Sequence, residues 1–396
     1  MSKELPEDVI IDIMSRVPTR YILRFKCVCK SWYALFQNPN FISKHFKNQS
    51  AISDPSFLLV TPNISATSTS SVRTVSLMLS DSSYKSIKIP IEIDVSKQLD
   101  VCGSCNGLIC LRILPLGSVI LLWNPATRVF KDLPISPLGR FKIDPSSVLL
   151  GFGFDDVVKD YKVLRIVDLD VMQKRVEMYS LSTNSWREVE TSVPFIISNE
   201  ESQCSVFLNG KFHWTAIGFL DVHDRLDEKR MIVCFDICDE VLSYLNPPEF
   251  DEFIGEDLEV AWKVVAIKES LAVISWSGKG SAMMFEVWVM KEYGVWTKYT
   301  SFELQETSVA RPLGCGLKGE FLLVKDNKQL VMYDLDSQRV HNLGNHEVAN
   351  SSKVFNHVGS LISINGGKVA TRTNLSSVVN NLDNRLVDDL FALLFY

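Results

Sequence analysis

Leu121-Leu122-Trp123-Asn124-Pro125-Ala126-Thr127-Arg128-Val129-Phe130 is a strand-like apolar run, a polar turn and a returning strand. The plan recurs from Val176 to Trp186, from Val233 to Leu242, from Phe285 to Trp296 with a slightly longer turn, and from Leu330 to Val340. With Trp123, Tyr179, Phe235, Trp288 and Tyr333 taken as equivalent, the gaps are 56, 56, 53 and 45 residues. That spacing suits four-stranded propeller blades of the kelch kind. Another strand-like run precedes each hairpin: Gly107–Leu111, Lys162–Ile166, Lys211–Trp214, Leu271–Ile274 and Glu320–Val324. Val75–Leu79 followed by Tyr84–Ile87 would begin a sixth blade. A propeller must close its ring to bury its edges. Phe57–Val60 and Gly359–Ile364 are expected to share the closing blade. Two tandem β-sandwiches are the rival architecture, but five units of similar length fit a ring better.

Composition sets outer bounds. The chain has 396 residues, 46% hydrophobic and 22% charged, with a net charge of −6. This is an ordinary globular balance with room for a large core. The acidic pI, near 5.6, argues against nucleic-acid binding by counterion release. No apolar run reaches membrane-spanning length, and the amino terminus is charged and amphipathic, unlike a signal peptide. The expectations are no nucleic acid, no membrane, and a cytoplasmic location shared with the nucleus. Nine cysteines without a secretory signal suggest free thiols. Cys102 with Cys105, and Cys234 with Cys238, would have to converge in space to bind zinc. The expectation is small buried residues, with no metal and no cofactor.

The first 48 residues follow a different period. Pro6 suits a first helical position, and Glu7 and Asp8 suit the first turn. Val9, Ile10, Ile13, Met14 and Val17 then make one apolar helical stripe. Pro18 stops that helix, and Thr19 can cap a second. Leu23, Phe25, Val28, Cys29, Trp32, Leu35 and Phe36 give apolar faces to a second and third helix. Asn38-Pro39 reads as the next stop. Residues 1–50 hold eight Lys/Arg and four acids, so this unit is +4 and the remainder −10. A helical unit this small has a thin core and needs a partner to complete it.

The N-terminal runs Leu5–Ile10, Ile13–Pro18 and Leu23–Trp32, with Val28-Cys29-Lys30-Ser31-Trp32 inside the last, resemble an F-box. The resemblance implies docking onto a Skp-type adaptor and through it a cullin scaffold. The residues matching its adaptor-facing pattern are Leu5, Pro6, Ile10, Ile13, Leu23, Val28, Cys29 and Trp32. Some of these must serve the unit's own core, and sequence does not divide the two roles. Further along, Cys105–Leu111, Asn124–Arg128, Gly151–Asp156, Asp160–Val163, Ser185–Arg187, Gly210–Trp214 and Trp288–Thr297 are similar to the F-box-associated domain of plant proteins. The likeness runs in order over residues 3–365 and looks most like the S-locus F-box and S-locus F-box-like branch. It implies an all-α F-box at 1–48, an all-β, six-bladed propeller-like recognition domain at 49–366, and a tail at 367–396. The function implied is that of a non-catalytic substrate-recognition subunit of an SCF ubiquitin ligase. The branch implies basic pistil ribonucleases as targets. Related receptors act on immune or hormone-pathway proteins.

Motifs for other chemistry fall short. Gly314–Gly319 matches G-x-G-x-x-G, but a strand follows it at once where a dinucleotide site needs a helix. Ser277–Ser281 lacks P-loop spacing, and His346-Glu347 has no second histidine one turn on. His213 beside Trp214 reads as a buried hydrogen-bonding residue. An enzyme reading would need titratable groups to converge at the central channel. Binding is expected on loops between repeats: Ser136–Ser147, Ser198–Cys204, Phe219–Arg230, Asn246–Glu259 and Ser275–Ala282. Asn246–Glu259 has six acids and no Lys or Arg. There Glu249, Phe250, Asp251, Glu252, Phe253, Glu256 and Asp257 are the candidate contacts for a basic protein. Leu386, Val387, Leu390, Leu393 and Leu394 could make a short amphipathic helix that packs on the propeller.

Overall fold

The computed structural model describes residues 5–369, except 53–55, 61–71, 79–83, 93–97, 115–118, 141–146, 171–172, 192, 194, 197–204, 223–224, 251–259, 280–281, 305–308, 317–318, 326 and 344–352. Four helices come first: α1 (Glu7–Arg16), α2 (Thr19–Phe25), α3 (Lys30–Leu35) and α4 (Pro39–Ile52). Pro6 stands at the N-cap of α1, and its carbonyl accepts from the Val9 and Ile10 amides at 3.1 Å each. Two expectations are corrected here. Thr19 makes no side-chain cap for α2; its hydroxyl instead donates to the Gly359 carbonyl at 2.8 Å. Asn38-Pro39 starts a helix rather than ending one. Pro39 opens α4, and the Asn38 side-chain oxygen accepts the Asn40 amide at 2.8 Å. The helical unit therefore runs to Ile52, past the expected boundary at 48. Helix α4 lies against α1, where Asn48 donates to the Ser15 hydroxyl at 2.7 Å and the His45 ring to the Val17 carbonyl at 2.8 Å. Ile22, Phe36 and Phe41 form the core of this unit.

After them the described residues form six antiparallel sheets. Blade 1 is Lys353–His357, Ser56–Val60, Val72–Met78 and Tyr84–Glu92, from inside to outside. Blade 2 is Gln98–Cys105, Leu108–Leu114, Val119–Asn124 and Val129–Asp132, with Lys368–Val369 added outside. Blade 3 is Val148–Asp155, Asp160–Asp170, Gln173–Ser180 and Ser185–Val189. Blade 4 is Val206–Leu208 with Phe195–Ile196, then Lys211–Val222, Arg225–Asp236 and Leu242–Leu245. Blade 5 is Ala261–Ile267, Ser270–Lys279, Ala282–Glu292 and Val295–Leu304. Blade 6 is Val309–Cys315, Glu320–Lys325, Leu330–Asp334 and Arg339–Asn342. The inner strands touch in sequence around the ring, and blade 6 meets blade 1. The molecule is thus a helical unit followed by a six-bladed propeller. Trp123, Tyr179, Phe235, Trp288 and Tyr333 all lie on third strands, as their spacing requires.

The period of two explains the packing. Leu150 and Val163 face blade 2, while their neighbours Leu149 and Leu164 face blade 4. Val265 packs toward blade 6 and Val264 toward blade 4. Blades 3 and 5 are apolar on both faces because each is covered on both. The turns after third strands repeat one device. Side-chain oxygens of Asn124, Asp236 and Asp334 accept amides two and three residues on, at 2.8–3.3 Å. Arg128, Glu240 and Gln338 then take φ of 55–58° before the returning strand.

The closing strand differs from expectation. Ser56–Val60 pairs with Lys353–His357, not with Gly359–Ile364. Residues 358–367 instead form a strap between the helical unit and blade 2. Leu361 enters the Ile22, Phe36 and Phe41 core, and Ile364 enters the core between blades 2 and 3. Asn124 donates to the carbonyls of Ser360 at 3.1 Å and Ile362 at 2.8 Å, and Lys131 to that of Asn365 at 2.7 Å. Gly107, at φ +78°, lies so close that a Cβ there would meet the Ser360 Cβ at 2.4 Å.

Candidate functional site

The structure divides the helical residues by role. Leu5, Ile13 and Val28 are 58%, 48% and 62% exposed despite being large and apolar. Pro6 and Cys29 are exposed, and Ile10 is half-buried. Leu23 and Trp32 pack on the Ile22, Phe36 and Phe41 core, with the Trp32 ring 5.8 Å from Phe25 and 6.2 Å from Phe36. They build the unit more than they present it. Val9 and Tyr33 are also exposed. Val9 and Ile13 stand four residues apart in α1 and so share one face of it, the helical signal that places Val9 with Ile13, while Leu5 precedes the helix. Apolar side chains uncovered in this way mark an interaction surface. The Ser31 hydroxyl, then the Trp32 amide, draw the exposed Cys29 thiol below its ordinary pKa.

The strap fixes which propeller face meets the helices. It leaves the far end of blade 1's inner strand and touches Gly107 and Asn124. Those residues lie at turns between first and second strands and between third and fourth strands. Antiparallel alternation puts second-to-third hairpins and blade-to-blade connections on the opposite face. Ser136–Ser147 and Asn246–Glu259 join successive blades, and Phe219–Arg230 and Ser275–Ala282 span second-to-third hairpins, so these four belong to that face; Ser198–Cys204 lies outside the described residues. Two of them are largely strand. Phe219–Arg230 lies within the hairpin of Lys211–Val222 and Arg225–Asp236, and Ser275–Ala282 within that of Ser270–Lys279 and Ala282–Glu292. In the acidic segment Glu249 is exposed. Phe250 is half-buried with its ring 6.2 Å from Trp262, so it is held by the core between blades 4 and 5 and is not a free anchor. Asp251, Glu252, Phe253, Glu256 and Asp257 lie outside the described residues, as do His346-Glu347 and the tail from 370.

The remaining motifs resolve into structure. Cys102 and Cys105 lie on blade 2 and Cys234 on blade 4, so the two pairs do not converge. Among the described residues no group of three possible metal ligands forms. Burial pushes the Cys105 and Cys234 thiols up to about 12. Gly314 and Cys315 end the strand Val309–Cys315, the Gly316 amide donates to the Glu320 carbonyl at 2.7 Å, and Gly319, at φ +98°, precedes the next strand, Glu320–Lys325, so no helix follows the glycines. His213 is buried, and its Nδ1 donates to the Val206 carbonyl at 3.1 Å. The central channel is a cavity of about 510 Å³, and among the described residues lining it there is no Asp, Glu or His.

A small helical unit with an uncovered apolar stripe, clamped to one face of a propeller, has the layout of an F-box protein. The F-box domain model matches residues 3–44, and that of the F-box associated beta propeller domain matches residues 63–365. The chain belongs to the family of F-box proteins that carry this associated propeller. Its relatives include the F-box protein At3g07870 of Arabidopsis thaliana, 26% identical over 91% of this chain and 92% of that protein. Another is the F-box protein CPR1 of Arabidopsis thaliana, 26% identical over 90% of this chain and 88% of that protein. The F-box/kelch-repeat protein At3g23880 of the same plant is 25% identical over 85% of this chain and 89% of that protein. Among solved structures, the six-bladed fungal lectin from Aleuria aurantia matches with a TM-score of 0.34 and 9% identity, over 74% of this chain and 97% of that one. A likeness that loose carries no argument.

Proposed function

We propose that this protein is the substrate-recognition subunit of an SCF ubiquitin ligase. Leu5, Pro6, Ile10, Ile13, Val28 and Cys29 contact the Skp-type adaptor, which bridges to a cullin, while Leu23 and Trp32 hold those contacts in shape. The protein target binds on the loop-bearing face opposite the helices. The receptor performs no bond chemistry. It raises the effective concentration of the target's lysines beside the charged ubiquitin carrier. The observation that carries this reading is the uncovered apolar stripe on a unit clamped firmly to a propeller. A rigid clamp turns capture of a target into a fixed placement.

The acidic Asn246–Glu259 segment supports a basic target, and a pistil ribonuclease taken up by pollen tubes has that chemistry. The working compartment is the cytoplasm with the nucleus. The test is affinity capture from pollen tubes with proteasomes blocked, comparing the intact chain with Leu5→Asp/Ile13→Asp/Val28→Asp. The intact chain should bring down adaptor and cullin, and the variant should bring down neither while both hold a ribonuclease. Equal recovery of adaptor by both chains, or by neither, would sink the receptor reading. A captured immune or hormone-pathway protein in place of the ribonuclease would sink only the pistil assignment. A tagged chain confined to an organelle would overturn the compartment.

A further inference from the structure

The last described residues aim the chain at the face that carries the helices. Lys368 and Val369 pair antiparallel with Phe130 and Val129 on the outer strand of blade 2. Their direction runs toward Arg128 and the turn where Asn124 holds the strap. The chain therefore leaves blade 2 heading for the helical face. Uncovered apolar surface is unevenly shared there. Among the described residues, the large exposed apolar side chains of the propeller belong to blades 3 to 6, such as Val157, Tyr244, Tyr293 and Val340, and none belongs to blade 2. The helical unit fastened over blade 2 exposes Leu5, Val9, Ile13, Val28 and Tyr33.

The sequence beyond Val369 has the complementary chemistry. Leu386, Leu390, Leu393 and Leu394 recur at helical spacing with Val387 and Phe391 beside them, and Asp388 and Asp389 fall on the other side. From 383 to 396 the acids Asp383, Asp388 and Asp389 stand against Arg385 alone, a charge of −2, whereas residues 1–50 are +4. Lys26 and Lys30 flank Val28 in sequence. Leu386 is 17 residues beyond Val369, a reach of at most about 60 Å. The longest helix of the unit, α4, has 14 residues and is about 21 Å long. The whole stripe is thus within reach of the same chain.

We propose that residues 383–396 dock as an amphipathic helix on the Leu5, Ile13 and Val28 surface of their own chain and keep it covered until the adaptor displaces them. The leucines bury that surface, and the acids meet the basic rim that includes Lys26 and Lys30. Tethering gives the segment an effective concentration in the millimolar range, so a weak contact covers most of the surface. A surface open in one chain of ten binds adaptor about tenfold more weakly. The docking stands on this chain's own residues, and its consequence for ligase assembly rests on the adaptor reading.

Leu390→Asp/Leu394→Asp in the full chain tests it by uncovering the surface without altering it. A fluorescent peptide of residues 383–396 should bind this chain saturably and the intact chain at least about tenfold more weakly. Adding Ile13→Asp/Val28→Asp should abolish the binding. In calorimetry with a purified Skp-type adaptor, the uncovered chain should bind about tenfold more tightly than the intact one. Thermal melting checks folding; if the aspartate pair is unfolded, Leu390→Gln/Leu394→Gln is read in its place. Absence of saturable peptide binding overturns the proposal. Binding that survives Ile13→Asp/Val28→Asp also overturns it and assigns the segment to the propeller. A dimer of the intact chain in sedimentation that the aspartate pair dissolves gives the segment to a second copy, and overturns docking within one chain. Equal adaptor affinity of the intact and uncovered chains overturns the competition. If neither chain binds adaptor while the peptide results hold, the receptor reading fails and the docking stands.

Discussion

Asn124 shows how much one residue type can specify. Its side-chain oxygen closes the turn after a third strand, as Asp236 and Asp334 do in blades 4 and 6. Blade 2 alone meets the strap there, and the amide nitrogen of Asn124 holds two strap carbonyls. A carboxylate could close the turn but could not donate. Asn124→Asp should therefore destabilise about as much as Asn124→Ala, by about 2–3 kcal/mol, because either leaves buried carbonyls unsatisfied. Urea unfolding measures it, and a benign Asn124→Asp would refute the donor role. Acid sensitivity is also a residue property. Burial holds His213 at about 4, against 6.5 when free. The unfolded chain binds the proton more readily, so stability from this group is full above pH 6.5 and drains away as pH falls toward 4. Burial depresses His357 in the same way. Urea midpoints should fall between about pH 6.5 and 4.5, and His213→Gln should flatten the fall. A fall confined to pH below about 4 would point to carboxylates instead, among them Asp155 and Asp236, whose pKa values are lowered by ion pairs and turn amides.

At the scale of elements, the helical unit separates stability from recognition. Trp32→Ala should cost about 3 kcal/mol by opening a cavity, and lose adaptor because the unit melts. Val28→Asp should leave the melting temperature within about a degree, since exposed positions tolerate change. It should still lose adaptor in a pull-down, and retained binding would move the contact elsewhere. Most of these elements were legible in sequence because their periods differ: 3.6 in α1, two in the blades. The misreadings occurred where one pattern serves two ends. Asn38-Pro39 is turn chemistry, yet a cap followed by Pro at N1 is equally how a helix begins, and α4 begins there. Leu361-Ile362-Ser363-Ile364 has the apolar density of a closing strand. It is apolar because Leu361 and Ile364 enter two different cores, a fact set by long-range packing. The division of Leu5, Ile13 and Val28 from Leu23 and Trp32 was illegible for the same reason. Both groups fall on apolar positions, and only the packed helices decide which are covered.

At the scale of the molecule, two fastenings made by the C-terminal residues organise everything before them. Lys353–His357 enters blade 1 as its inner strand and closes the ring, so an edge that would otherwise be exposed on blade 1 is paired. The strap then ties that closed ring to the helices. The Thr19 hydroxyl holds Gly359, and Leu361 sits in the helical core, so the first 52 residues and the propeller share buried surface. The order of events matters for quality control. The chain must complete its last blade before the adaptor-binding unit acquires its full core. A chain ending at residue 352 lacks both fastenings, whereas one ending at 369 keeps them. The longer chain should purify as a soluble species that captures adaptor and melts in one transition. The shorter should aggregate or expose apolar surface, as an open ring with an unpaired inner edge does. Leu361→Ala separates the two fastenings. The ring stays closed, but the helical core loses its peg at about 2–4 kcal/mol. Limited proteolysis of this variant should cut within α1–α4 while the propeller persists. Protection of the helices equal to that of the intact chain would show that the strap is not what fixes them.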